Sequence, residues 1–354
     1  MNRINKFKKI IEEKEINNFL INSPSNIYYI TGFHPTTEAY LLYTKGYGFE
    51  LHVTEIDYQE AKDLEKDFTV IKTPIELTIS DHMKKRLETL EGEVYLEYTY
   101  LNYALFNKFF INNKKVNFSN GDELITSMRE VKDRGELEKI TKAIKITEKA
   151  VTTAQINIRQ GKTELEIAAE AEYEMRRNGA DWFAFESLII AGSRTANPHA
   201  KSTINKLNKG DTVIVDIGCK YEGYCADITR TFTVGEADNR QREIYGLVKE
   251  AQELALEKIK PGVKASFIDL TAREFLKEKG YDKYFIHTLG HGLGLDVHEA
   301  PSISFRNHEE IKQGNVITIE PGIYIPGWGG IRIEDIVVVE GEGARILSNL
   351  PKAI

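Results

Sequence analysis

Cysteine is almost missing from this chain. Among 354 residues there are two, Cys219 and Cys225, and they form no CxxC pair. This scarcity excludes a disulfide-framed secreted scaffold and argues against a cysteine-rich structural zinc site. A reducing, cytoplasmic setting is expected, with both thiols serving as small packing residues. Positive charge is also scarce. Lys and Arg number 47 against 54 Asp and Glu, a formal net charge of −7. That sign disfavours a nucleic-acid surface or a polybasic membrane patch, so neither is expected as a partner. No apolar run reaches the ~18 residues a membrane helix needs. The opening stretch MNRINKFKKIIEEKEINNFL has no apolar core before its acids, and it reads as an amphipathic first helix rather than a signal peptide.

What remains is ordinary globular composition, 41% hydrophobic and 29% charged, on a length that suits two domains. In residues 1–128, short runs rich in Ile, Leu, Tyr and Val read as strands: Asn18–Ile21, Ile27–Ile30, Tyr40–Tyr43, Phe49–Val53 and Glu93–Glu97. Ile56–Lys66 and His82–Leu90 read as helices, and the alternation describes a small α/β domain. His34, in a loop after Gly32 and Phe33, reads as a surface residue. The charged stretch Arg129–Arg134 marks the junction, and residues 129–354 form the second domain.

That second domain repeats itself. A long helix is expected over Gly135–Ile158. A second begins at Thr163, with Glu166 placed to complete a capping box, and ends at Gly179. RQGKTELEIAAEAEYEMRRNG (Arg159–Gly179) resembles KPGVKASFIDLTAREFLKEKG (Lys260–Gly280), with Gly161 matching Gly262 and Gly179 matching Gly280. GDTVIVDIG (Gly210–Gly218) likewise resembles GNVITIEPG (Gly314–Gly322), so Asp216 matches Glu320. Each half runs helix, helix, loop, strand and acid-bearing hairpin, an internal pseudo-two-fold repeat.

The acids are out of place. In GDTVIVDIGCKYEGYCADITRTF a turn centred on Tyr221 and Glu222 puts Asp216 directly opposite Asp227, where like charges repel. In the second half Glu334, within IRIEDIVVV, is the counterpart of Asp227. A single acid in a strand is usually solvated on a polar face. Here Val213, Ile214, Val215 and Ile217 leave no polar face, and Val316, Ile317 and Ile319 do the same before Glu320. Buried carboxylates in such number need cations. Between the hairpins, FIHTLGHGLGLDVHEAPSI carries His287, His291 and His298 among glycines, and His199 follows Pro198 upstream. A histidine is often structural, and His287 fits that description. Four carboxylates and an imidazole suit two divalent ions; Mn²⁺, Co²⁺, Zn²⁺ and Fe²⁺ all qualify.

The motifs VDIGCKYEGYCADITRTF, GHGLGLDVHEAP, ITIEPGIYI and GIRIED resemble those of the pita-bread metallopeptidases. The likeness is closest to their proline-specific branch, the Xaa-Pro aminopeptidases and Xaa-Pro dipeptidases (prolidases). It implies an α/β (α+β) architecture: a pita-bread domain preceded by a smaller α/β domain of the creatinase and prolidase type. It implies five metal ligands, Asp216, Asp227, His291, Glu320 and Glu334. Asp216 would chelate one ion, His291 and Glu320 the other, and Asp227 and Glu334 would bridge them, with Mn²⁺ the first expectation. A bridging hydroxide would attack the scissile carbonyl, Glu320 would move the proton, and His199 and His298 would bind substrate and stabilise the tetrahedral intermediate. Arg332 would support the site or pair with a neighbouring acid.

The resemblance leaves a choice of function. Creatinase-like and non-catalytic pita-bread binding proteins lose the ligands, whereas this chain has all five. Peptides with proline at the second position are the expected substrates, and a homodimer the expected assembly. Some prolidases carry an arginine right after the HExP segment, suited to a dipeptide's carboxylate; here that position is Ser302. This favours the Xaa-Pro aminopeptidase, with the Xaa-Pro dipeptidase as the alternative.

Overall fold

The computed structural model describes residues 2–111 and 113–354. It divides into two compact units, Met1–Arg129 and Glu130–Ile354.

The first unit is built on a six-stranded sheet. In spatial order its strands are Thr69–Lys72, Gly48–Val53, Tyr40–Thr44, Asn18–Ile21, Gly92–Leu96 and Val116–Asn120. Asn18–Ile21 is buried on both faces. Phe19 meets the ring of Phe7 edge-on, with centroids 5.2 Å apart. Leu20 packs instead with Met83, Leu87 and Phe109. One expected strand is a helix. Ile27–Ile30 lies inside the helix Pro24–Thr31, capped by the Ser23 side chain, opened by Pro24 and closed by Gly32 at φ 80°. Start and stop signals that strong outweigh the strand preference of a short apolar run.

The second unit repeats in space as it does in sequence. Arg134–Asn157 packs on Glu164–Arg177, and Asn239–Leu256 packs on Ala265–Glu278. Capping boxes open the first two helices, Asp133 with Glu136 and Thr163 with Glu166, and Asp238 with Gln241 opens the third. Even the isolated bridges recur: Thr163 pairs with Lys206, and Lys264 with Glu310. The hairpin strands Thr212–Ile217 and Ile228–Thr233 correspond to Val316–Ile319 and Asp335–Glu340. Their continuations toward the turns are Cys219–Tyr221 with Tyr224–Cys225, and Gly322–Ile325 with Gly329–Arg332. Gly223 and Gly327 take φ of 79° and 78° at corresponding turns.

Both hairpins lose their ladder at the acids, but their registers differ. In the first, Asp216 pairs with Thr229, and Tyr221 with Tyr224. The turn is therefore centred on Glu222 and Gly223, one residue later than expected. Both have positive φ, 46° and 79°, as a tight hairpin turn requires. Asp227 thus falls opposite Gly218, on the same face as Asp216 but diagonal to it. In the second hairpin Ile319 pairs with Asp335 and Gly322 with Arg332, which puts Glu320 across from Glu334. Gly218 permits the first arrangement: a Cβ there would lie 1.9 Å from the Ala226 carbonyl oxygen and 2.9 Å from the Phe185 ring.

Two alanine substitutions separate these constraints. Gly218→Ala must push the return strand aside and should cost about 1–3 kcal/mol. Gly246→Ala, on an exposed helical position with nothing within 4 Å of its Cβ, should stabilise by about 0.5–1 kcal/mol. Urea midpoints at unchanged m-value check both signs.

Candidate metal centre

The two hairpins meet at their interruptions. The Glu334 N–H donates to the Thr229 carbonyl at 3.1 Å, and the Thr229 hydroxyl donates to Glu334 Oε2 at 2.8 Å. Thr231 donates to the Arg332 carbonyl and accepts from its N–H. Arg230, 1% exposed, donates to the Glu334 carbonyl and pairs with Asp335. These bonds fix the backbone on both sides of Glu334.

Around this seam the acids converge. One ligand atom each from Asp227, His291 and Glu334 lies within 4.8 Å of the others. His291 Nε2 stands 3.3 Å from Glu320 Oε1 and 3.7 Å from Asp227 Oδ2. The His291 Nδ1–H donates to the Gly292 carbonyl at 3.0 Å, so the ring is turned to present Nε2 to the acids. Asp216 stands apart from that triad. One of its oxygens accepts from Arg332, which also donates to the Tyr324 hydroxyl at 2.7 Å. Arg332 thus pairs with a neighbouring acid, and because that acid is the expected site residue Asp216, the two roles expected for it coincide. Tyr324 in turn donates to His287 Nε2, whose Nδ1–H is tied to the Thr288 carbonyl. His287 is thus a hydrogen-bonded member of the wall.

Charge at this point is unbalanced. Burial, then the charges of Glu334 and Asp216, raise the Asp227 carboxyl well above its ordinary range. Burial, then Glu320 and Asp216, do the same to Glu334. Burial also pushes Glu320 up, but its hydrogen bond and charge interaction with His291 outweigh this and hold it at about 2. Burial opposes protonation of His291, yet Glu320 and Glu334 carry it up to about 9. The site therefore draws protons to Asp227, Glu334 and His291, while Glu320 stays ionised against the His291 cation. Three carboxylate oxygens, Asp216 Oδ1, Asp227 Oδ1 and Glu334 Oε1, are buried with no hydrogen-bond partner. Buried oxygens are rarely left so, and multivalent cations fit both the orphaned atoms and the donor set of carboxylates plus one imidazole.

The centre opens into a cavity of about 810 Å³ that also receives His199 and His298. Both are exposed. The His298 ring lies edge-on to His291 with centroids 4.3 Å apart. All of the sequence-derived site residues thus line one cavity, although Asp216 leans to Arg332 rather than to the triad.

Sequence reasoning did not find the clamps behind them. Glu164, fully buried, accepts from the N–H groups of Ala191 and Thr203, both at 2.9 Å, and pairs with Arg194. It pins the strap that carries His199. Asp269 accepts from the Leu289 N–H at 3.0 Å and from Arg273, which donates to the carbonyls of Phe285 and His287. Lys132, its side chain buried, meets Glu299 at 2.6 Å, next to His298. The fully or nearly fully buried acids Glu164 and Asp269 sit on the second helix of each repeat, and an acid on an otherwise apolar helical face was the signal available.

Comparison with known proteins agrees with this geometry. The model for metallopeptidase family M24 matches residues 138–341, and that for the creatinase/prolidase N-terminal domain matches residues 3–131. The Xaa-Pro dipeptidase of Pyrococcus furiosus is 41% identical over 99% of this chain and 99% of its own length. The crystal structure of the prolidase from Pyrococcus horikoshii superposes with a TM-score of 0.93 at 38% identity, covering 99% of each chain. The X-Pro aminopeptidase from Thermotoga maritima gives 0.91 at 38% identity, covering 100% of this chain and 99% of that one. A duplicated helix–helix–hairpin domain, a carboxylate cradle at its seam and these matches along nearly the full length lead to one conclusion: the chain belongs to metallopeptidase family M24, its pita-bread domain following a creatinase/prolidase-type N-terminal domain in the sequence.

Proposed function

We propose that this metallopeptidase is an Xaa-Pro dipeptidase, hydrolysing the bond between an N-terminal residue and a C-terminal proline. The observation that carries the reading is the ordered set Asp216, Asp227, His291, Glu320 and Glu334 lining one cavity with orphaned carboxylate oxygens, in a chain 41% identical to a dipeptidase along its length. The aminopeptidase was the first expectation because Ser302 replaces an arginine. The relatives' activities support the dipeptidase better. The aminopeptidase remains the second reading, favoured by Ser302 in the cavity wall and by the Thermotoga maritima structure.

In this reading Asp216, Asp227, His291, Glu320 and Glu334 would together hold two divalent ions. Mn²⁺ is the first candidate, followed by Co²⁺, Zn²⁺ and Fe²⁺. When bound, the pair supplies Lewis acidity toward the scissile carbonyl and a nucleophile at neutral pH. The chain's own groups do the rest. Glu320, held as a carboxylate, takes the proton of the attacking water and returns it to the departing proline nitrogen. His298 and His199 donate hydrogen bonds to the oxygen that gains charge as the carbonyl is attacked. Arg332 and Tyr324 hold Asp216 and the wall behind it in place.

Three outcomes are expected. Asp227→Ala should lose at least one ion per chain by elemental analysis, and kcat should fall by about 10²-fold or more. His298→Ala should retain wild-type metal content while kcat falls by about 10²–10³-fold; loss of both ions would make it a ligand instead. The Mn²⁺-loaded protein should cleave Ala-Pro and leave Ala-Pro-Ala essentially intact, whereas equal cleavage of the tripeptide would favour the aminopeptidase.

A further inference from the structure

A dipeptidase must read the free carboxylate of its substrate, and the cavity holds few groups able to do so. Among the described residues its walls carry two permanent cations, Lys201 and Arg332. Arg332 is 3% exposed and committed to Asp216, Thr229 and Tyr324. Withdrawing it would leave the buried Asp216 unpaired, a strongly destabilising change. The Lys132 ammonium is buried against Glu299. Ser302 offers a hydroxyl but no charge, and Arg306 is not part of the wall.

Lys201 is placed differently. It lies two positions beyond His199 on the strap that Glu164 and Arg194 pin. Arg194 donates to the Lys201 carbonyl at 2.7 Å, which fixes the backbone while leaving the side chain free to swing. Its ammonium meets Glu186, another residue of the cavity wall, at 2.7 Å. The two side chains are 72% and 57% exposed. An ion pair so exposed contributes little, so Lys201 can exchange the Glu186 carboxylate for another at small cost. A lysine is also a mobile point charge on a long stem, suited to following a carboxylate into a wide opening.

We propose that Lys201 is the specificity-determining anchor for the substrate's C-terminal carboxylate, with Glu186 as the counter-ion that holds it when no substrate is present. The anion class recognised is the α-carboxylate of the residue after the scissile bond. This deepens, and rests on, the dipeptidase reading. Lys201 takes no part in bond breaking. Its contribution is to favour a substrate that ends at that residue over one that continues, because an amide or a further peptide unit removes the charge it reads.

The test compares Ala-Pro with its C-terminal amide on the Mn²⁺-loaded full-length protein. The wild type should prefer the acid. Lys201→Met should raise KM for Ala-Pro about tenfold with kcat little changed, so that the acid-to-amide ratio of kcat/KM falls about tenfold. Lys201→Arg should keep most of the preference, and Lys201→Glu should turn it toward the amide. Glu186→Gln should leave the preference intact or strengthen it. The proposal is overturned if Lys201→Met lowers both substrates equally or neither. A wild type that cleaves both substrates equally well would also overturn it, since no carboxylate is then being read. A wild type inactive on both would instead sink the Xaa-Pro reading, and this proposal with it, before any variant is compared.

Discussion

Four carboxylates share one buried seam, and three of their oxygens have no hydrogen-bond partner. This local excess of negative charge is the constraint on which the rest of the domain depends. Protons answer it in part: Asp227 and Glu334 are driven toward the neutral acid, and His291 is held as a cation. Divalent ions answer it more fully, because one ion can satisfy several carboxylates at once. The surrounding structure resists relief by any other route. Arg230 and Thr229 hold Glu334 by its backbone and side chain, Arg332 holds Asp216, and the tight approach at Gly218 keeps the return strand beside the first. The acids cannot move apart without breaking packed, hydrogen-bonded strands.

Much of this was legible in the sequence because duplication leaves a periodic mark. Glycines such as Gly161 and Gly262 recur where the backbone needs positive φ, 88° and 82° here. The apolar run around Asp216 advertised burial on both faces, and all six residues of that strand are buried. The first hairpin's register was less legible. Gly223 was the available signal, since a tight hairpin prefers positive φ at both central residues, and it moves the turn by one residue. Asp216 and Asp227 are diagonal as a result, whereas Glu320 and Glu334 face each other. Ile27–Ile30 was misread because its strand-forming side chains lie between Ser23-Pro24 and Gly32, whose capping signals prevail.

The clamps were the least legible part. Lys132 and Glu299 are 167 positions apart in the chain, and nothing local in either segment announces the other. Glu164 and Asp269 lie on otherwise apolar helix faces, where an acid signals a buried partner but not which backbone it holds. Their importance lies in what they hold. His199, His298 and Lys201 are on straps without regular secondary structure or at a strand's start, and such segments stay in place only where buried polar groups tie down their backbone. In the proposed reading the labour divides between metal-holding acids near the strand ends of the two hairpins and substrate-binding groups on pinned straps.

We infer that this carboxylate cradle holds two divalent ions in place of bound protons. This is tested most directly by calorimetric titration of the metal-stripped protein with Mn²⁺ at pH 7, in two buffers of different ionisation enthalpy. Two ions should bind per chain with a net release of protons, because residues held protonated in the ion-free site must give their protons up. Uptake of fewer than two ions, or of two with no proton released, would contradict it.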